Sequence, residues 1–537
     1  MTVEPSFASR GLTRGEDGFI RRTAKARDPG GPPGASPTLL GAEWLDRPLI
    51  ARFDDVASRF AERIAVDDGR NRLTYAELAD RVDACAARIA AEPAPADRAV
   101  VLFARADVSF PAVALALLAL GRVFTPIDVN APSERRQAVI EQTAPALILV
   151  TDPEDLALAP EGVPVVNLQD APAAPRPHAV VDLDAPAGLV FTSGSTGRAK
   201  GVAGCQRGYM HTLAEYVGAC AITEADTILS IATLSAIGSR EVLAAAVTGA
   251  RLRILDFQKA GVTGALEALR ETTVLSFVPS AMRMVMGVPG IETYGARLRV
   301  LSLLGEPVLA SDLELFRSRL PDSCRICIEL GTTETTTVIR WFVRPEVVDG
   351  AVSPSGYLVP GPDVLISGDE GALAQEGEIG ELIVRDPSVA LGLWRDGRLT
   401  SDAFQPAGAG SKARVYATGD LLRLRADGLF EFLGRRDRMV KLRGLQVDLA
   451  EVEAALRDWP GVEDAVAAVA DGPGGGRLVG YVVADGPVPA ADLRRHVEAL
   501  TARHMAPQQI VQLGAIPRLP NFKPDLVGLE AEALRAL

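Results

Sequence analysis

The stretch that most constrains this chain is Leu189-Val190-Phe191-Thr192-Ser193-Gly194-Ser195-Thr196-Gly197-Arg198-Ala199-Lys200-Gly201. An apolar run suited to a buried strand ends abruptly in small hydroxyl and glycine residues. Gly194, Gly197 and Gly201 allow sharp turns and a close approach of backbone to a ligand. Thr192, Ser193, Ser195 and Thr196 supply hydroxyls, and successive N–H groups in such a loop form an anion-binding concavity. Lys200 adds a mobile positive charge. Together these are the parts of a phosphate-holding loop. The Walker spacing does not fit, because here the lysine precedes a glycine and no Gly-x-x-x-x-Gly-Lys-Ser/Thr run exists.

At 537 residues the chain exceeds one compact core and predicts more than one domain. Its apolar fraction of 48% describes a soluble globular protein, and a net charge of −13 argues against nucleic acid or an anionic membrane as partner. The N-terminus lacks the charged-then-apolar pattern of a secretory signal. The longest apolar run, residues 111–120, is too short to span a bilayer. The expected location is the cytoplasm. Five cysteines make no disulfide framework. Cys324 and Cys327 have Cys-x-x-Cys spacing, but they sit in an apolar run that reads as a strand, where metal or redox use is not expected.

Residues 1–40 are rich in Gly, Pro, Arg and Asp and predict a flexible or loosely draped arm. Beyond residue 49 the pattern becomes regular. Leu78, Val82, Cys85 and Ile89 mark one helical face, residues 99–103 read as a buried strand, 109–120 as a helix and 146–151 as a strand. Strands alternating with helices predict parallel sheets layered with helices, an α/β fold, over 41–436. Residues 437–537 differ in texture. Strands at 465–470 and 477–483, with helices at 449–457 and 490–500, predict a small α+β domain.

Further motifs punctuate this frame. Leu330-Gly331-Thr332-Thr333-Glu334-Thr335 sets a carboxylate among hydroxyls and a glycine, which suits a hard, oxygen-liking cation such as Mg²⁺ beside phosphates. Tyr416-Ala417-Thr418-Gly419-Asp420 offers a two-oxygen carboxylate. The charged run from Gly434 to Gly444 contains Arg435 and Asp437, and Pro520-Asn521-Phe522-Lys523-Pro524-Asp525 lies near the end. Two earlier segments, Leu73-Thr74-Tyr75-Ala76-Glu77-Leu78 and Gly121-Arg122-Val123-Phe124-Thr125-Pro126-Ile127-Asp128, join the series.

In content and order these motifs resemble those of the adenylate-forming superfamily, which includes acyl-CoA synthetases, luciferases and nonribosomal-peptide adenylation domains. The resemblance covers about 50–530 and implies a large adenylation core followed by a small mobile domain. It implies ATP held by Thr192, Ser193, Gly194, Ser195, Thr196, Gly197 and Lys200, with Gly331, Thr332 and Thr333. It further implies ribose on Asp420, Arg435 near the nucleotide, Mg²⁺ on Glu334, a hinge at Asp437 and catalysis by Lys523 with Glu334. Segments 73–78 and 121–128 are mainly structural in the family. Two departures stand out: Leu330 replaces an aromatic ring against adenine, and Phe522 replaces a glycine.

The implied reaction is adenylation of a carboxylic acid, then transfer to the phosphopantetheine thiol of a separate carrier protein in secondary-metabolite biosynthesis, antibiotics included. The chain stops at Leu537 without a Gly-Gly-x-Ser site, so a stand-alone enzyme is expected. A ligase acting on free CoA, or a non-catalytic binding member, are the alternatives. By similar register the substrate pocket is lined by Ala236, Ile237, Arg240, Ser276, Ser302, Leu304, Glu329, Thr337 and Val338. Ala236 stands where amino-acid-activating members carry an Asp for the α-ammonium, which disfavours ordinary α-amino acids. Arg240 and Glu329 suit the zwitterionic head of an amino dicarboxylic acid, an arrangement similar to aminoadipate-activating domains. The alternative is that the two simply pair with each other.

Overall fold

The computed structural model describes residues 11–22, 30–36, 40–95, 97–193, 199–231, 240–344, 348, 352–368, 371–436, 439–442, 445–470, 477–501, 503–518, 524–526 and 528–529. Among these residues, two mostly parallel sheets and one antiparallel sheet build the large unit, and two small sheets follow in the C-terminal part. No described helix is long and apolar enough to cross a membrane.

The first sheet runs through Arg325–Thr332, Val300–Leu304, Val274–Phe277, Thr227–Ser230, Arg251–Ile254 and Ile64–Asp67, all parallel, with antiparallel strands added at its edges. The second centres on Val100–Ala104, Phe124–Asp128 and Leu147–Val150, with Pro186–Ser193 alongside. Strands such as Val100–Ala104 are buried along their whole length, as parallel strands covered on both faces must be.

Helix Tyr75–Ala90 shows why its motif is structural. Thr74 caps the N-terminus and Glu77 closes a capping box, an arrangement whose loss typically costs about 0.5–2 kcal/mol. Tyr75 Oη lies 2.7 and 2.8 Å from the carbonyls of Ala245 and Ala250. Leu78, Val82, Cys85 and Ile89 are all buried on the face that period 3.6 assigns them.

The third sheet is antiparallel and was not legible beforehand. Its strands Asp363–Ser367, Ile379–Asp386 and Arg414–Leu424 alternate buried and partly exposed residues, and Phe430–Arg435 completes one edge. Its other edge corrects the expectation of a loose arm. Strands Leu12–Arg14 and Ile20–Arg22 form a hairpin, and the second pairs with Asp363–Ser367. Arg21 Nη2 donates to Asp363 at 2.7 Å, and Leu12 and Ile20 are buried in the adjoining core. The composition of 1–40 hid this, because an edge hairpin needs only two inward apolar residues.

Beyond Arg435 the apolar cores change. Residues up to Phe430 share three clusters, whereas Val447 to Leu529 form two of their own. Strands Val462–Ala470 and Arg477–Ala484 pair antiparallel, with helices Leu449–Arg457 and Ala490–Leu500 close to their predicted spans.

Candidate active site

The loop that opened the sequence reading leaves strand Pro186–Ser193 and returns as Ala199–Cys205, with Lys200 paired across from Thr192. Gly194 to Gly197 lie outside the described residues. Gly201 needs a correction. It sits opposite Phe191 in the ladder, and a Cβ there would lie 2.8 Å from the Phe191 ring, so the ring and not a ligand demands the glycine. Gly201→Ala is therefore expected to lower stability by about 1–3 kcal/mol through overpacking. A thermal midpoint equal to wild type would contradict this.

Strand Arg325–Thr332 ends in the turn that carries Glu334 and returns as Thr336–Phe342. Gly331 is forced, since a Cβ would lie 1.7 Å from the Thr336 carbonyl oxygen. Thr336 itself has φ 59°, a left-handed conformation that is rare and costly for a β-branched residue and that clusters at functional sites. The Thr332 and Thr335 hydroxyls lie 3.1 Å apart, and Thr335 is fully buried. Ala390 N–H donates to the Glu334 carbonyl at 2.8 Å, and the next N–H, of Leu391, donates to Ala203 at 2.8 Å. One short segment therefore ties the Glu334 turn to the strand that contains Lys200.

Tyr416 completes this side. Burial raises its phenol above the ordinary range, reinforced by the nearby Glu334 carboxylate. The ring stacks on Phe404 at 4.6 Å. Four residues along the same strand, Asp420 is buried and accepts from Arg435 Nη1 at 2.7 Å. Glu334, Tyr416, Asp420 and Arg435 form one group. Glu334 brings to this group a carboxylate, an oxygen donor of the kind that suits Mg²⁺. Leu330 points to the other face and packs against the core shared with the antiparallel sheet.

Five of the predicted pocket positions converge. Ser276 and Ser302 are in-register neighbours on parallel strands, and Ser302 pairs with Cys327, so period two brings Glu329 onto the same face. Glu329 accepts from Ser302 Oγ at 2.6 Å, from Thr337 Oγ1 at 2.8 Å and from Arg240 Nη1, with Arg340 Nη2 at 3.2 Å. Arg240 Nη2 donates to Ser276 at 3.0 Å, and its guanidinium lies 3.7 Å from the centroid of the Tyr216 ring. Arg340 in turn donates to Glu215. Burial works to raise the Glu329 carboxyl, but the Arg240 and Arg340 charges hold it well below the usual range. Burial pushes Glu215 up, against the pull of Arg340.

This geometry corrects the expected division of labour. Glu329 has 1% of its side chain exposed, already accepts three hydrogen bonds and is paired with two guanidinium groups, so a substrate ammonium would have to displace one of these partners. Val338 also differs from expectation: it is fully buried in the core shared with the antiparallel sheet, facing away from Thr337. Leu304 ends its strand half-buried. Ala236, Ile237, Asp437 and Lys523 lie outside the described residues. Arg340, Glu215 and Tyr216 were missed. Arg340 carried one signal, as a charged residue inside an otherwise apolar strand.

The chain matches known proteins over most of its length. Residues 53–394 match the AMP-binding enzyme family, and residues 451–523 match the AMP-binding enzyme C-terminal domain. Novobiocin biosynthesis protein H of Streptomyces niveus is 33% identical over 506 residues, covering 88% of this chain and 80% of that protein. A dimodular nonribosomal peptide synthase of Bacillus subtilis (strain 168) is 29% identical over 500 residues, covering 89% of this chain but only 20% of its own length. Among solved structures, Klebsiella oxytoca NpsA in complex with 3-hydroxyanthranilyl-AMSN superposes with a TM-score of 0.78 at 23% identity, covering 91% of this chain and 99% of that one. At that identity the likeness establishes the fold.

Proposed function

Since this chain belongs to the AMP-binding enzymes of the adenylate-forming superfamily, we propose that it activates a carboxylic acid with ATP and passes the acyl group to the phosphopantetheine thiol of a carrier protein. The observation that carries this reading is the grouping of Glu334, Tyr416, Asp420 and Arg435, tied through Ala390 and Leu391 to the strand of Lys200.

In the first half-reaction a carboxylate oxygen bonds to the α-phosphorus, and the bond to pyrophosphate breaks. Both reactants are anions, so the protein's contribution is alignment and charge stabilisation. By the family resemblance, Lys200 and the loop before it would serve the leaving phosphates, and Lys523 would bridge the attacking carboxylate and the α-phosphate. Glu334 would hold Mg²⁺, which when bound supplies positive charge to the polyphosphate. Asp420 accepts from the ribose hydroxyls, and a carboxylate has capacity for these beside Arg435. In the second half-reaction the thiol takes the acyl group and AMP leaves.

The substrate reading follows from the Arg240–Glu329 network. A self-neutralised floor offers hydroxyls and shared protons rather than a free charge, which suits an acid whose far end is uncharged and hydrogen-bonding. The zwitterionic head of an amino dicarboxylic acid would have to break a buried ion pair to enter.

ATP–pyrophosphate exchange with an acid panel tests both levels. Neutral hydroxylated or amide-bearing acids are expected to exceed glutamate, aspartate and α-aminoadipate, and Arg240→Ala is expected to flatten the ranking. Highest exchange with an amino dicarboxylic acid would overturn the substrate reading alone. No exchange with any acid would count against adenylation. Thioester formation on holo carrier proteins, set against free CoA, decides the acceptor.

A further inference from the structure

Outside the pocket, one ion-pair cluster joins the two parts of the chain beside the segment that carries Lys523. Arg518 Nη1 donates to Glu306 at 3.3 Å, while its Nη2 pairs with Asp464. Glu306 belongs to the large unit and Asp464 to the small one. Both Arg518 and Glu306 are largely shielded, with side-chain exposures of 19% and 16%. Glu306 is itself fixed, accepting from Ser280 N–H at 3.0 Å and from Ser280 Oγ at 2.9 Å.

The position of this contact in the fold gives it meaning. Ser280 and Glu306 lie just past the carboxyl ends of Val274–Phe277 and Val300–Leu304, the edge of a parallel sheet at which ligands bind. Leu304, the last residue of its strand, is in register with Glu329, so Glu306 follows at the same end of the sheet as the turn that carries Glu334. On the other side, Arg518 forms a backbone bridge with Pro524, and Asp525 N–H donates to the Pro517 carbonyl at 2.9 Å. Arg518 and Pro524 are thus the two feet of the loop that includes Lys523. One guanidinium pins that stem to the rim of the candidate site.

We propose that Arg518 is a positioning residue: its bond to Glu306 holds the small domain in the arrangement that forms the adenylate, and its bond to Asp464 keeps the guanidinium aimed there. The inference rests on the adenylation reading above, yet it makes a claim about domain arrangement that can be read without turnover. Loss of the pair should lower kcat for adenylation without changing ATP affinity, because the two side chains bond to protein groups, Ser280 and Asp464 besides each other, and neither is among the residues assigned to the nucleotide. Acyl transfer from preformed adenylate should be untouched.

The test uses the full chain as Glu306→Gln, Arg518→Ala, Arg518→Lys and the Arg518→Ala/Glu306→Gln pair. Glu306→Gln is expected to lower kcat for pyrophosphate exchange about tenfold, within the span typical of conformational coupling. KM for ATP should be unchanged, Arg518→Lys should recover part of the loss, and the double variant should be no worse than the poorer single one. Additive losses, or a change confined to KM, would overturn the proposal. Spin-label distances between the two units give the second readout. A narrow distribution in the wild type should broaden in Glu306→Gln; identical distributions would overturn the proposal even if no substrate supports exchange. Absence of exchange together with a broadened distribution would reject the adenylation reading while leaving the latch standing.

Discussion

Lys523→Ala is expected to slow acyl-adenylate formation by about 10²-fold or more, the usual loss when one electrostatic contact to a transition state is removed. The expectation rests on chemistry and on placement. Two anions must meet, and a lysine between the attacking carboxylate and the α-phosphate offsets repulsion that grows as the new bond forms. The flanking residues put the stem of its loop at the rim of the sheet through Arg518 and Glu306. Because the contact matters mainly in the transition state, kcat and kcat/KM should fall together while nucleotide binding persists. Thioester formation from supplied acyl-adenylate should survive. Wild-type exchange rates in the variant would remove Lys523 from the mechanism.

Glu329→Ala is expected to destabilise the protein by about 3–5 kcal/mol, the range found when one partner of a buried ion pair is deleted. The carboxylate accepts from Arg240, Ser302 and Thr337 and forms an ion pair with Arg340, and its removal leaves two guanidinium groups short of a counter-charge. Urea unfolding should show a lower midpoint at an unchanged slope. The pH dependence has a definite sign. The carboxyl is held below its ordinary range in the folded state, so its contribution is complete above the unfolded value of about 4.3 and is lost as pH falls below it. The gap between wild type and Glu329→Ala should therefore stay constant through neutral pH and shrink in acid. A loss smaller than about 1 kcal/mol at neutral pH would mean that the network is not the structural floor its buried geometry implies.

The division between what was legible in sequence and what was not follows the range of the interactions. Helix Tyr75–Ala90, strand Val100–Ala104 and the two helices of the C-terminal part were readable because periodicity, caps and apolar runs are local. Motif order was readable too, and it carried the register far enough to select Arg240, Ser276, Ser302, Glu329 and Thr337, which the structure brings into one network. Residues 11–22 looked like a loose arm because their partner strand begins at Asp363, a pairing that no local pattern announces. Glu329 read as a free acceptor because a sequence shows a carboxylate but not the donors around it. Glu215, Tyr216 and Arg340 come from a helix and a hairpin far apart in the chain, and only sheet register and helix docking bring them together. Thus the sequence determined which chemical groups the site has to work with. Tertiary structure decided which of them are already committed to one another, since in a buried site desolvation makes each polar group bind the nearest partner that the fold supplies.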